Sequence, residues 1–374
     1  MKSYLITISP LEPYFFGSER SLGFGKVKGN LKQRYFISSQ DAPSQTTLLG
    51  ALRYAVLAVN GALITDFSKG SLERERANEL IGPVSFDFQH KNSFGAIGRI
   101  HPLFILDGEN YLVPMPMNHK NSFADGSGNT ASYECYTPMR LDQCQESITL
   151  STGDLFSPDY AAKHGCGSGW LNLTDGSAVS SRYDPEQDSG LFQSIVRVGI
   201  NSHRTETAEN RNDAESYFKK EYKLLRRGVF AFFAELDPDR VQGLERGTLI
   251  YMGQNKSAFQ IKAVKKENDL NEKIAGTLSE YAVNDFWYAP GDCRFDQEYS
   301  GYVIANTQLF RHLITTTGNH YYDRFKKSEK LYRLLNAGAV FYGRRPDFAD
   351  DEIARVIGMN ELVEIKKGDG NYGC

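Results

Sequence analysis

The chain is 374 residues long, with 40% hydrophobic and 24% charged residues, which is the balance of a folded, water-facing protein with a sizeable core. A net charge of −3, from 43 basic against 46 acidic residues, excludes a general polycationic nucleic-acid glue but leaves room for a local basic groove. No apolar run reaches the roughly 18 residues that a membrane helix needs, and the first nine residues are too short and strand-like for a signal peptide. A cytoplasmic protein is therefore expected. Aromatic content is 12%, with 21 Tyr and 23 Phe, rings that serve equally as β-sheet filling or as stacking platforms.

Tyr4, Ile6 and Ile8 alternate with more polar neighbours, so residues 3–9 are predicted as a first strand that Pro10 and Pro13 end. The segment 19–34 carries five cations, Arg20, Lys26, Lys28, Lys32 and Arg34, against Glu19 alone, with three glycines, Gly23, Gly25 and Gly29, among them. It reads as a flexible glycine-rich loop that can approach phosphates through both amides and side chains. It matches neither a Walker loop nor a dinucleotide fingerprint.

Next, Pro43-Ser44-Gln45-Thr46-Thr47 opens an amphipathic helix expected over 46–63. Leu48, Leu52, Val56, Val59 and Leu63 form its buried stripe, Ser44 or Thr46 its cap, and Arg53 sits at the margin of the apolar face. Residues 68–80 are polar and read as helix or loop. Phe94 to Leu106 predicts a strand, followed by a turn at Asp107-Gly108 and a strand at Tyr111–Val113 that Pro114-Met115-Pro116 closes.

Residues 121–190 are rich in Gly, Ser, Asp and Asn without sustained periodicity and read as a long irregular insertion. The division expected is 1–120 as an N-terminal core, 121–190 as the insertion and 191–374 as a C-terminal region completing the core. Ile195–Ile200 predicts a strand. Tyr217–Arg226 and Val229–Leu236 flank Arg227-Gly228 as a hairpin decorated by Lys219, Lys220, Lys223, Arg226 and Arg227, with helix left open for the first arm. Further strands are expected at 247–252, 301–307 and 336–342.

The five cysteines form no CxxC pair and are expected as reduced thiols. His119, Cys135, Cys144, His164 and Cys166 match no compact zinc spacing, so neither metal nor cofactor is expected. There is no HExxH, GxSxG or Walker signature.

Several stations, in this order, carry a resemblance: Leu11-Glu12-Pro13-Tyr14-Phe15-Phe16 with its Gly/Arg segment, Pro43-Ser44 with Gly50-Ala51-Leu52-Arg53, and Pro114-Met115-Pro116. Arg197-Val198-Gly199-Ile200 with Thr205 and Thr207, Gly338-Ala339-Val340-Phe341 and Gly358-Met359-Asn360 follow. Together they resemble the third subunits of the Cmr-type (type III-B) CRISPR effector, in the repeat-associated RNA-binding (RAMP) superfamily, with sister subunits of types III-A and III-D close by. The resemblance implies an α+β fold: a ferredoxin-like, RRM-related β-α-β-β-α-β core, elaborated and followed by a degenerate second copy. It also implies a non-catalytic subunit that caps the 5′ repeat-derived handle of the crRNA. Such a subunit joins the large polymerase/cyclase-like subunit to a backbone RAMP subunit, touches target RNA indirectly and serves antiviral defence.

Capping an RNA end requires phosphate neutralisation and base capture. The candidates for the first are Arg20, Lys26, Lys28, Lys32, Arg34, Arg53, Arg197, His203 and Arg204, and for the second Phe24, Tyr35 and Tyr217. The alternative is a metal-independent crRNA-processing endoribonuclease, with His203, Tyr217 and Lys219 as base, acid and phosphate-facing cation.

Overall fold

The structure, a computed structural model, describes the chain apart from 28–29, 67–70, 120–134, 139–147, 150–154, 157–168, 202–215, 254, 296–298, 300, 316–324, 349–350 and 369–374. Within strands, it describes the backbone alone for 18–27, 30–35, 148–149, 155–156, 200–201, 216–218, 314–315 and 325–327.

The chain begins with β1 (Lys2–Pro10), β2 (Phe16–Val27) and β3 (Asn30–Gln40), then helices α1 (Gln45–Val59) and α2 (Leu72–Ile81). Strands β4 (Ile97–Ile100), β5 (Phe104–Asp107) and β6 (Asn110–Pro114) follow, then the short β7 (Ile148–Thr149), β8 (Leu155–Phe156), β9 (Trp170–Asn172) and β10 (Ala178–Val179). A long antiparallel pair follows, β11 (Phe192–Asn201) with β12 (Ser216–Leu225). After them come β13 (Val229–Leu236), a 3-10 turn at Leu244–Arg246, β14 (Thr248–Met252), β15 (Ser257–Lys265) and helix α3 (Leu270–Tyr281). The C-terminal strands used below are β16 (Phe286–Tyr288), β17 (Cys293–Arg294), β18 (Tyr302–Ile304), β19 (Thr307–Phe310), β20 (Leu313–Thr315), β21 (Phe325–Lys327), β22 (Tyr332–Leu335), β23 (Val340–Tyr342) and β24 (Val363–Ile365). The molecule is mixed α+β, mostly sheet with few helices.

A large sheet runs β10-β9-β6-β5-β13-β1-β15-β14, with β4 also on β13. At its centre β1 lies antiparallel to both β13 and β15, pairing Tyr4 with Ala234 on one side and with Lys265 on the other. Strand β13, Val-Phe-Ala-Phe-Phe-Ala-Glu-Leu, is apolar almost without alternation because both faces of the sheet are covered. Period two sorts its side chains. Phe230, Phe232 and Ala234 join Ile6 and Ile8 under α1, where Leu48, Leu52, Ala55 and Val56 are wholly buried. Ala231 and Phe233 face the other way with Leu5, Phe104, Tyr111 and Val113. Ile274 and Leu278 of α3 cover that second face, together with the sheet β18-β23-β16-β24 through Tyr288, Val340 and Tyr342.

Helix α1 starts where the sequence indicates, Ser44 Oγ accepting from Thr47 N. It ends earlier: Asn60 closes it, its Nδ2 donating to Val56 O at 2.7 Å, and Leu63 lies beyond the end, 41% exposed. The first strand, the turn at Gly108 and the late buried strand at 340–342 lie where expected.

Two expectations are corrected. The glycine-rich segment is no loop but two antiparallel strands, β2 and β3. Leu22, Phe24, Leu31 and Tyr35 supply β-formers, and cross-strand backbone hydrogen bonds fix what the glycines leave free. The expected 217–236 hairpin does not form either: β12 pairs with β11 and β3, while β13 pairs with β1, β4 and β5. Between them Gly228, at φ +71°, turns the chain from one sheet to the other, and a Cβ there would meet Ile105 Cγ2 at 2.8 Å. Among the described residues no helix is long and apolar enough to cross a membrane.

Candidate nucleic-acid interface

The second sheet, β11-β12-β3-β2, is a ribbon of four long strands. It joins the core at one end, where Tyr14 and Lys223 exchange backbone hydrogen bonds of 2.9 Å each way and Arg226 N donates to Leu191 O. Its inner strands, β12 and β3, run parallel, with Phe218 beside Tyr35 and Lys219 beside Phe36. This pairing lays 35–37, where the cationic 20–34 segment ends, alongside 218–220 and its lysines.

By backbone register Lys32 stands opposite Gly25, Arg34 opposite Gly23, Lys26 opposite Leu31, Arg20 opposite Ile37, Phe24 opposite Gln33 and Tyr35 opposite Leu22. Two of the cations thus face glycine across the ladder. Arg197 on β11 and Lys219 on β12 are exposed, and Tyr217 takes its place in the β12 backbone. Lys28, His203 and Arg204 lie outside the described residues.

At the base of the ribbon the side chains form an alternating cation–aromatic array. The Arg197 guanidinium lies 4.8 Å from the Tyr222 ring centroid. Lys220, directly opposite Arg197 in register, holds its ammonium 3.7 Å from the Phe15 centroid and 5.6 Å from that of Tyr222. Lys220 Nζ donates to Asn255 Oδ1 at 2.7 Å, and Asn255 Nδ2 donates to the Tyr222 hydroxyl. Burial against these rings lowers the Lys220 pKa from its ordinary value. A planar cation on a phenol ring presents one face to its partner and the other outward, the arrangement that stacks an unpaired base.

The neighbouring Lys223 is different. Its ammonium lies 3.1 Å from both Asp41 and Glu221 and donates to Ser194 Oγ. Burial pulls its pKa down, but the two carboxylates outweigh that and leave it raised, a cation neutralised inside the protein. Arg227 is likewise paired with Asp107 at 2.6 Å. Lys220 was visible in the sequence only as one of a run of lysines. Its i, i+2 spacing from Tyr222 is the signal that puts both on one strand face, whereas Phe15 and Asn255 come from distant segments.

Arg53 is not on the ribbon. Its Nη2 donates to Gly82 O at 3.0 Å, its guanidinium lies 5.9 Å from the Phe94 centroid, and it lines a cleft between α1 and α2. Burial lowers its pKa to about 10, so it keeps its charge at neutral pH.

The sequence profile of the family described as CRISPR-associated protein (Cas_Cmr3) matches residues 6–278, which span the large sheet, the ribbon and α1. The chain belongs to the Cmr3 family. Solved structures similar to this Cmr3-family chain include two described as cryo-EM structures of the Type III-B Cmr-beta bound to cognate target RNA. One is 14% identical, covers 96% of each chain and has a TM-score of 0.47. The other, also with AMPPnP and in state 1, is 14% identical, covers 97% of this chain and 99% of that one, and has a TM-score of 0.46. A chain of a Type IV-B CRISPR complex is 10% identical over 72% of this chain and 92% of its own, with a TM-score of 0.24. No curated protein matches the sequence.

Of the sulfur and imidazole groups in this Cmr3-family chain, His119 is buried and its Nδ1 accepts from Thr137 N at 2.9 Å. Burial pulls its pKa to about 4, so it is neutral at physiological pH. Cys135 is in a disulfide bond, which corrects the expectation of reduced thiols, whereas Cys293 is a buried free thiol. Cys144, His164 and Cys166 lie outside the described residues. Among the described residues no three His, Cys, Asp or Glu side chains are grouped to hold a metal.

Proposed function

We propose that this Cmr3-family chain is a non-catalytic, RNA-binding subunit of a type III CRISPR effector acting in cytoplasmic antiviral defence. In this reading it caps the 5′ repeat-derived handle of the crRNA and joins the large polymerase-like subunit to a backbone subunit. The observation that carries the reading is the ribbon, on which two cationic segments about 180 positions apart meet beside the Arg197–Tyr222–Lys220–Phe15 array. Phosphates need dispersed exposed cations and splayed bases need planar faces, and the ribbon offers both.

The path β1–α1–β4/β5–β13–β15, with sheet order β15-β1-β13-β4, supports a ferredoxin-like core. In place of its second helix stands the 3-10 turn at Leu244–Arg246 with β14. Helix α3 and its C-terminal sheet are the candidate degenerate second copy. Because that layer covers the second face of the large sheet, Phe104, Tyr111 and Phe233 stack as core, and RNA is assigned to the ribbon instead of an RRM-type open face.

The test is fluorescence anisotropy of the full chain with a labelled single-stranded repeat-handle RNA across a salt series. Replacing exposed Arg197 and Lys219 together by Glu is expected to weaken binding by at least about tenfold. The log–log salt slope should become shallower by roughly 0.7 for each phosphate that is no longer neutralised. Unchanged binding sinks the placement. A discrete cleavage product that disappears in His203→Ala would replace the capping role by the ribonuclease.

A further inference from the structure

Away from the ribbon, a cleft of about 800 Å3 opens between α1, α2, the turn after Gly82, the end of β14 and the segment Arg311–Leu313. Its walls are chiefly aliphatic, with Leu49, Leu57, Ile64 and Ile81 lining it. At its rim Leu63, Tyr251 and Leu313 remain 41%, 51% and 50% exposed. Apolar side chains left this open around one concavity are characteristic of a surface that another molecule covers.

The charges in the cleft are of one sign. Arg53, Arg74 and Arg311 line it and, among the described residues, no carboxylate does. None of the three guanidinium groups has an ion-pair partner among the described residues: Arg53 bonds only the Gly82 carbonyl, and its Nε is buried without a partner. His312, 5% exposed, also lines the cleft; its Nε2 is held 3.3 Å from Asp87 Oδ1 while its buried Nδ1 has no hydrogen-bond partner. A partly desolvated guanidinium without a counter-charge is costly, and a carboxylate brought to it offsets that cost.

We propose that the α1–α2 cleft is a docking groove for an amphipathic segment of another polypeptide, aliphatic on the side that enters and carboxylate-bearing along the flank that meets Arg53, Arg74 and Arg311. The wall chemistry favours a protein over RNA. Unpaired bases are held on aromatic or guanidinium planes and by hydrogen bonds to their edges. Tyr54, Phe86, Tyr251 and the three guanidinium groups offer some such planes, but the larger share of the lining, Leu49, Leu57, Leu63, Ile64, Ile81 and Leu313 among it, is aliphatic and matches leucine, isoleucine or valine side chains of an incoming segment. A helix laid in a groove uses such anchors at i, i+3 or i+4, and i+7. The rim cations then select among apolar segments by charge, since a basic flank would be repelled.

The experiment places the photo-crosslinker p-benzoylphenylalanine at Leu63 or Leu313, both on the exposed rim, in the full tagged chain within its native cells. Its assembly is then purified, irradiated and the cross-linked peptide sequenced. The expected result is one peptide of a partner protein with Asp or Glu beside spaced aliphatic residues. Arg74→Glu together with Arg311→Glu should lower the cross-link yield about tenfold at unchanged melting temperature, and the two Lys replacements should retain most of it. Arg311→Glu alone, at an exposed position, gives the same readout where the double variant fails to fold. Cross-links to RNA, to a peptide lacking acidic residues, or to nothing overturn the proposal, and none of these results bears on the ribbon.

Discussion

At the scale of single residues, the stations that carry the family resemblance are places where distant segments touch. Gly358, at φ +76°, is one of them. Gln45, at the start of α1, donates from Nε2 to the carbonyls of His101 and Gly358 at 3.1 and 3.3 Å. A Cβ on Gly358 would stand 2.3 Å from that nitrogen and 2.6 Å from the His101 carbonyl carbon. Gly358→Ala therefore combines a strained backbone with a clash against main chain, and a loss of about 3 kcal/mol is expected in urea unfolding. A change under about 0.5 kcal/mol would mean that the three-way junction is dispensable.

Asp292 supplies a pH signature. Burial raises its pKa from 3.8 to about 6, although Ala337 N and Gln308 Nε2 both donate to it. The folded state thus holds a proton that the unfolded chain has released between those values, so stability from this group is full below pH 3.8 and is lost as pH rises through about 6. The shift sets an upper bound of about 3 kcal/mol, and because the residue is only half-buried a difference of about 1–2 kcal/mol is expected. Urea midpoints at pH 4.5 and 7 should show this loss in the wild type and not in Asp292→Asn. Equal pH slopes in the two proteins would refute it.

At the scale of elements, the ribbon and the large sheet are separate hydrogen-bonded units joined near Tyr14, Phe16 and Leu225. Ser21 pairs with Phe36, so replacing residues 22–35 by Asn-Gly makes a two-residue hairpin at that rung. The melting temperature should fall by no more than about 5 °C, because none of the described core residues is removed, while handle affinity drops at least about tenfold. A collapse of the fold would show that the ribbon stabilises the core.

This element also shows what a sequence can disclose. The cations from 20 to 34 and at 197 and 219 were legible by composition, since charge clusters need no long-range knowledge. That they share one sheet was not, because parallel pairing of β12 with β3 joins strands about 180 positions apart and leaves no local signature. Glycine content favoured a loop at 19–34 for the same reason: local propensity was read without the partner strand that overrides it. Helix α1 was legible because its cap and its 3.6-residue stripe are both local.

For the whole molecule, the C-terminal region is bound into the N-terminal one rather than appended to it. Met117 N donates to Gly338 O at 2.8 Å, Tyr288 OH to Pro114 O at 2.6 Å and Asn118 Nδ2 to the Tyr342 hydroxyl at 2.9 Å. Gly338, at φ +96°, permits the first of these, since a Cβ there would sit 2.6 Å from Met115 O. The second face of the large sheet thus has no cover unless α3 and β16, β18, β23 and β24 are in place. Opening the C-terminal layer would expose Phe104, Phe233 and Tyr288 together, a cost that couples the two parts into one transition.

The two tryptophans report on this directly, for Trp170 is buried in β9 of the large sheet and Trp287 lies in β16 of the C-terminal sheet, beneath the Arg345 guanidinium at 5.7 Å. Trp287→Phe leaves a reporter in the first unit and Trp170→Phe leaves one in the second. Each variant will be somewhat less stable than the wild type, so far-ultraviolet circular dichroism on the same sample supplies the internal reference. In each variant the fluorescence and dichroism midpoints in urea should coincide within about 0.2 M, as a single cooperative unit requires. A Trp287 transition that precedes loss of secondary structure would separate the C-terminal layer as an independent unit, and the hydrogen bonds from Met117, Asn118 and Tyr288 would then be too weak to couple the halves.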